Sequence, residues 1–227
     1  MTLTTAPYCY TVPHPAVSTD VVIFTIRDQR LTLLLVRRRD DYPVGGKWAL
    51  PGGGARTDED LDSSARRLLR EETGADVYLE QLYTFGRPTR DPRERVISVA
   101  YYALIPSDKL QLKAAVDAAA VAWFALDELP PLAFDHAEIV AFAQRRLAAK
   151  LDYSTIALQF MPEKFTLSEL QAVYEIILRA PLDKRNFRKR VLALEGIEET
   201  DEERRDGAHR PARLYRVKHP GKLEFIK

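Results

Sequence analysis

The run Pro51-Gly-Gly-Gly54, followed closely by a carboxylate-rich helix, restricts this chain more than any other feature. Consecutive glycines let the backbone bend sharply and approach other groups closely, because no Cβ limits φ. Asp58, Asp60 and Asp62 gather where a helix N-terminus favours negative charge, and Gly74 supplies a stop, so the spacing predicts a helix over 61–73. Glu71 and Glu72 fall late in that helix, and Glu59 lies in the loop before it. Hard divalent cations such as Mg2+ take carboxylate oxygens and bridge to phosphate. Glu59, Glu71 and Glu72 are therefore candidate metal ligands, with Glu71 and Glu72 the candidate catalytic groups.

The surroundings read as mixed α/β. Asp20–Ile26 and Leu31–Val36 are short aliphatic or β-branched runs joined by the polar Arg27-Asp28-Gln29-Arg30, the pattern of a hairpin. Asp40–Gly46 reads as a loop, 77–86, 96–105 and 119–125 as strands, and Phe134-Asp-His-Ala-Glu138 as the opening of a helix that runs to Lys150. The 227 residues exceed what one small domain needs, and 46% hydrophobic with 30% charged residues is an ordinary globular composition. A single cysteine, Cys9, excludes an internal disulfide and fits a reducing cytoplasm. Met1–Pro15 carries neither the positive charge nor the apolar run of a secretory signal, and the apolar-rich run Ala114–Leu126 is broken by Asp117 and too short to span a bilayer. The expectation is a cytoplasmic protein with no membrane partner.

Gly53, Glu59, Arg67, Leu69, Glu71, Glu72 and Gly74 fall in the register of a 23-residue signature. The stretch resembles the Nudix box, G-x5-E-x7-R-E-U-x-E-E-x-G-U with U aliphatic, and Trp48-Ala-Leu-Pro-Gly-Gly resembles the family's entry into it. The resemblance implies a Nudix α/β/α sandwich and, by default, Mg2+-dependent hydrolysis of a nucleoside diphosphate linked to another group. One position departs: the box places Glu after its Arg, where this chain has Leu68. Positions 68, 71 and 72 share a helical face, and leucine neither coordinates a metal nor accepts a proton. Weak or absent hydrolysis is the expectation. Ala75 at the last aliphatic position departs more mildly.

Beyond Met161-Pro162 the rhythm changes. Thr166-Leu-Ser-Glu169 is a capping-box pattern, and Leu167, Leu170, Val173, Tyr174 and Ile177 recur at helical spacing. A break at Ala180-Pro181-Leu182 precedes Asp183, an N-cap candidate for a second helix reaching Leu194, and residues 196–217 read as a two-stranded ribbon. Helix, break, helix, ribbon is the order of a winged helix-turn-helix. The global charge of +1 hides a split: residues 163–227 hold 15 Lys+Arg against 12 Asp+Glu, a net +3, and the remainder is −2. Lys184, Arg185, Asn186, Arg188 and Lys189 lie opposite the apolar Phe187 and Val191, where they would meet phosphates and base edges of double-stranded DNA. Arg210 joins them from the wing. A solvated helix face is the plain alternative, and for Arg204, Arg205, His209 and Arg210 phosphate contact and solvation stand equal.

The combination resembles the Nudix-related transcriptional regulators of NAD metabolism. It is carried, beyond the box, by Asp91-Pro-Arg-Glu-Arg-Val-Ile-Ser-Val-Ala-Tyr101, Phe165–Gln171 with Leu182–Arg188, and Gly207–Arg216. The resemblance implies a homodimeric repressor that binds a palindromic operator, controls NAD metabolism genes and is released by ADP-ribose or a related nucleotide or sugar-phosphate effector. It divides the chain into a sensing domain (1–152), a linker (153–162) and a winged helix (163–227). A pyrophosphate needs cations and backbone donors, so Arg37, Arg38, Lys47, Arg87 and Arg93, around the box, are the expected effector contacts, with Gly53 and Arg67 inside it. Trp48 or Phe85 would stack on an adenine or else belong to the core. The alternative is a Mg2+-dependent ADP-ribose or nucleotide-sugar pyrophosphatase. The four histidines, His14, His136, His209 and His219, lack metal-ligand spacing and read as structural or surface residues.

Overall fold

Aliphatic and β-branched runs near the N-terminus pair into β1 (Ala16–Arg27) and β2 (Arg30–Arg38). Arg27 faces Arg30 across a two-residue turn, with Asp28 and Gln29 at φ 49° and 57°. Turns of this hand match the right-handed twist of the strands, so the hairpin is tighter than the four-residue connection expected from polarity. The computed structural model describes residues 11–38, 46–109, 118–194, 196–205 and 211–225. Tyr8-Cys9-Tyr10, most of the 40–46 loop, His209 and Arg210 lie outside them.

β1 and β2 separate beyond the turn. Residues 24–27 of β1 pair with β2, while residues 18–20 on the same edge pair with β4 (Gly52–Gly54). β2 likewise bonds β1 near the turn and β3 (Trp48–Ala49) farther along. The glycine run thus fills the gap where the hairpin splays. The opposite edge of β1 pairs in parallel with β6 (Val96–Leu104), which is flanked by β5 (Tyr78–Phe85), and β7 (Ala118–Ala125) closes the outer edge of β2.

Alternation along β1 sends Val21 and Ile23 to one face and Val22 and Phe24 to the other. The first face is covered by α1 (Leu61–Thr73) through Ala65, Leu68 and Leu69, the second by α2 (His136–Lys150) through Ile139, Val140, Ala143 and Leu147. This is the expected α/β/α sandwich. α1 starts and stops where the sequence places it, with Asp60 Oδ1 accepting from Ser63 N at 2.7 Å and Gly74 left-handed at φ 67°. α2 begins two residues later than expected because Phe134 is itself left-handed, at φ 54°.

After α2 the chain packs rather than trails. Ile156–Phe160 forms a 3-10 turn whose five residues are all buried, and its apolar side chains join the α2-side core. That core continues into α3 (Leu167–Leu178), capped reciprocally by Thr166 and Glu169, and α4 (Lys184–Leu192), capped by Asp183. β8 (Ile197–Arg204) and β9 (Ala212–Val217) form the ribbon, tied to the helices by Phe165 and Tyr215 exchanging backbone hydrogen bonds at 3.0 and 2.7 Å. The winged helix-turn-helix order is present. Among the described residues no helix is long and apolar enough to cross a membrane.

Candidate functional site

Two carboxylates of the box, Glu59 before α1 and Glu71 within it, gather on one arginine. Arg67 takes the centre: its Nε and a terminal nitrogen donate to Glu59 at 2.9 and 2.6 Å, and its other terminal nitrogen reaches Glu71 at 3.4 Å. Glu59 also accepts from Arg56 N at 3.1 Å. Leu68 is buried on the same face in the core against Val21 and Ile23, and Glu72 is buried in the helix beside it. Among the described residues no three acidic, histidine or cysteine side chains stand close enough to hold a metal ion. Of the three carboxylates expected to hold Mg2+, Glu59 and Glu71 are engaged by Arg67 and Glu72 is buried, and leucine stands where the box has another glutamate.

This pairing has a pH signature. The Arg67 guanidinium, helped by the Arg56 amide, lowers Glu59 from its ordinary 4.5 to about 2. A depressed carboxylate contributes stability that is complete above its unfolded pKa and lost as pH falls through the folded one. Wild type should therefore melt above Glu59→Gln at neutral pH, and the gap should close between pH 4.5 and about 2. Thermal melts across that range test it; a gap that persists at the acid end would show that charge pairing is not what Glu59 contributes.

The cavity lies on the other side of the glycine run. About 230 Å³ is enclosed by the start of β1, Gly52–Gly54, the 90–96 loop, Phe134 and His136. Asp20, Arg90 and His136 of its lining belong to a buried polar cluster. Arg90 grips Asp135 in a two-pronged pair at 2.7 and 3.0 Å and lies 3.5 Å from Asp20, all with side chains under one-tenth exposed. Ser98 donates to Asp20, and His136 Nδ1 accepts from Leu50 N at 2.9 Å, which places any single imidazole proton on Nε2, 3.7 Å from Asp20. His136, expected to be structural or at the surface, is buried and lines the cavity.

Gly52 is required here. A Cβ on it would lie 2.1 Å from Asp20 Oδ1 and 2.9 Å from the Thr19 carbonyl, so any side chain would displace the cluster. At the rim, Arg93 bonds Asp91 at 2.6 and 2.9 Å and stands 5.3 Å from the centroid of Phe134. The Arg93 guanidinium holds the Asp91 carboxyl below its usual range.

The second site is the exposed face of α4. Phe187 and Val191 are buried, Phe187 edge-on to Tyr174 at 5.2 Å, and this fixes the helix rotation. Lys184, Arg185, Asn186, Arg188 and Lys189 are exposed as a consequence. Lys184 and Arg188 also line a cleft of about 760 Å³ between the start of α3, α4 and the ribbon. The ribbon's own cations are engaged: Arg204 with Glu169 at 2.5 Å, Arg213 with Glu199, and Arg216 with Glu198.

Comparison with known proteins follows the same division. A NUDIX domain model matches residues 15–143, and a model described as the NrtR DNA-binding winged helix domain matches 157–217. The ADPR responsive transcriptional repressor NtrR of Acinetobacter baylyi is 39% identical over 209 residues, 90% of this chain and 82% of the relative. This chain belongs to the NrtR family. The crystal structure of Shewanella oneidensis NrtR complexed with a 27mer DNA superposes with a TM-score of 0.81 at 38% identity, over 89% of this chain and 93% of that one. The NUDIX domain of the same protein, complexed with ADP ribose, matches with a TM-score of 0.53 at 36% identity, over 60% of this chain and 90% of that one.

Against this NrtR architecture the expected site residues scatter. Gly53 and Arg93 line the cavity. Arg67 instead serves Glu59 and Glu71, and Arg87 bonds Glu138 on the surface at 2.9 Å. Arg37 and Lys47 are exposed, and Arg38 belongs to β2. Trp48 packs edge-on to Phe124 at 4.7 Å, and Phe85 packs against Tyr83 and Phe142. Arg90, Asp20, Asp135 and Phe134 went unselected. Asp91-Pro-Arg93 directly follows Arg90, but nothing local marks a buried arginine whose partners lie 45 and 70 residues away.

Proposed function

We propose that this chain is an ADP-ribose-responsive transcriptional repressor that binds an operator as a homodimer through α4 and senses its effector in the glycine-loop cavity. The genes it controls would be those of NAD metabolism. The observation that carries this reading is the pairing of an exposed cationic helix on a complete winged-helix core with a box whose Glu59 and Glu71 are spent on Arg67 and whose Leu68 is buried. The exposed cations of α4 suit DNA phosphates, and in the box Arg67 engages Glu59 and Glu71. The repressor from Acinetobacter baylyi, named for its response to ADPR, and the DNA and ADP ribose complexes of the Shewanella protein support the same reading.

Backbone amides of the glycine run and Arg93 are the donors we assign to the effector's pyrophosphate, and Phe134, at the cavity rim, is the aromatic surface for its base. Lys184, Arg188 and Lys189 would contact phosphates, and Arg185 and Asn186 base edges. The test is a mobility-shift titration on a duplex selected by the full chain from a randomised DNA pool, with and without ADP-ribose, beside a Mg2+-dependent hydrolysis assay. The reading expects a retarded complex that ADP-ribose dissolves and negligible turnover. Rapid hydrolysis with no DNA selected would replace it with the pyrophosphatase.

A further inference from the structure

The basic helix carries one cation that faces away from the DNA side. Arg190 sends its terminal nitrogen to the carbonyl oxygens of Leu151, at 2.6 Å, and Asp152, at 3.2 Å, with the Asp152 carboxylate 4.0 Å away. Leu151 is the C-cap of α2. The last carbonyls of a helix carry partial negative charge and lack partners within the helix, so a guanidinium docked there is held by both charge and hydrogen bonds. At the other end of α2, its N-cap residue Asp135 is the carboxylate gripped by Arg90, and its first residue, His136, lines the glycine-loop cavity. One 15-residue helix, about 22 Å long, therefore has the effector cavity at its N-terminus and the recognition helix pinned to its C-terminus.

We infer that Arg190 is a positioning residue: it joins α4 to the end of α2, so that a shift of Asp135 and His136 on effector binding reaches the DNA-reading helix as a movement of one rigid element. This rests on the proposed ADP-ribose response and names how that response would be transmitted. Packed helices move as units because interiors are close to crystal density, and an effector changes DNA affinity only if the arrangements it favours and disfavours hold α4 differently. The short link between α2 and the 3-10 turn reinforces the joint. Ser154 Oγ donates to the Lys150 carbonyl at 2.7 Å, and the Lys150 ammonium, buried at the last turn of α2, is fixed to Glu80 of β5 at 2.5 and 2.6 Å. Arg190 thus grips a helix end that is itself anchored to the sheet.

The experiment compares Arg190→Met and Arg190→Lys with wild type in the full chain, using ADP-ribose and the duplex selected by wild type. Arg190→Met should keep its ADP-ribose affinity within about twofold and its operator affinity within about threefold, because it removes no residue assigned to either ligand. The factor by which saturating ADP-ribose weakens the operator complex should fall about tenfold, a loss within the usual range of coupling between sites. Arg190→Lys, which keeps the charge and can still reach a carbonyl, should recover much of it. An undiminished factor in Arg190→Met would overturn the inference. Amide exchange of the effector-free, DNA-free chain gives a second readout. Arg190→Met should lose protection in α4 and the last turn of α2 while β1 keeps its own. Unchanged exchange in both helices would equally overturn the joint. Lost protection in a chain whose wild type shows no ADP-ribose effect would uphold the joint and refute the effector assignment alone.

Discussion

Replacing Arg185 and Arg188 together by alanine lowers affinity for the selected duplex by on the order of 100-fold at physiological salt, at about 1–3 kcal/mol for a base-reading arginine and less for a phosphate contact. The dependence on salt should flatten as well, with a loss of about one in the logarithmic slope for each phosphate contact removed. Two structural facts make the effect large. Both side chains are exposed on α4 because Phe187 and Val191 fix the rotation of the helix. The arginines Arg204, Arg213 and Arg216 of the ribbon are paired with glutamates and so offer less free charge to take over. Titrations at two or more salt concentrations measure both quantities. A double variant that binds with wild-type affinity and slope would move the DNA surface off α4.

The second large effect is on stability. Arg90→Met removes the cation from a cluster in which Asp20 and Asp135 are both buried. Leaving buried carboxylates without their partner costs about 3–5 kcal/mol, far more than an exposed ion pair contributes. For a protein of this size that corresponds to a drop in Tm on the order of 10 °C. Adding Asp135→Asn removes one of the stranded charges and should recover part of the loss. A melting point within about 2 °C of wild type for the single variant would mean that water or rearrangement satisfies the carboxylates, and the cluster would then not be what holds α2 against the cavity.

Local features carried much of the architecture into the sequence. Asp60 and Gly74 delimit α1 because a cap needs only its own side chain or a left-handed φ. Thr166 with Glu169, and Asp183, mark the starts of α3 and α4 in the same way. The hairpin, the two β-α faces and the helix-ribbon order follow from periodicities of two and 3.6 residues that any short window displays. The α4 cations were legible too, since spacing alone puts them opposite Phe187 and Val191.

The glycine-loop cavity was not legible in this way. Asp20 of β1 and Arg90 of the 90–96 loop line it, and Arg90 is held in turn by Asp135 at the start of α2, residues brought together only when β1 pairs with β6 and α2 packs across the sheet. The left-handed Phe134 that delays α2 likewise answers to tertiary packing, because nothing in its own side chain favours positive φ. The fate of the box carboxylates was also settled in three dimensions. Sequence placed Glu59, Glu71 and Glu72 in register and marked Leu68 as the departure, but it read Arg67 as an effector contact rather than as the cation that takes up Glu59 and Glu71. Arg190 shows the same limit in one residue. By composition it is one of five cations in seven positions; by structure it alone turns back to α2. Secondary structure, helix faces and family are thus set by short-range stereochemistry and hydrophobic periodicity, which the chain carries residue by residue. Which charges are spent on each other and which remain for a ligand depends on long-range packing, because a Coulombic partner is chosen by distance in space and desolvation, and neither exists until the sheet and helices have assembled.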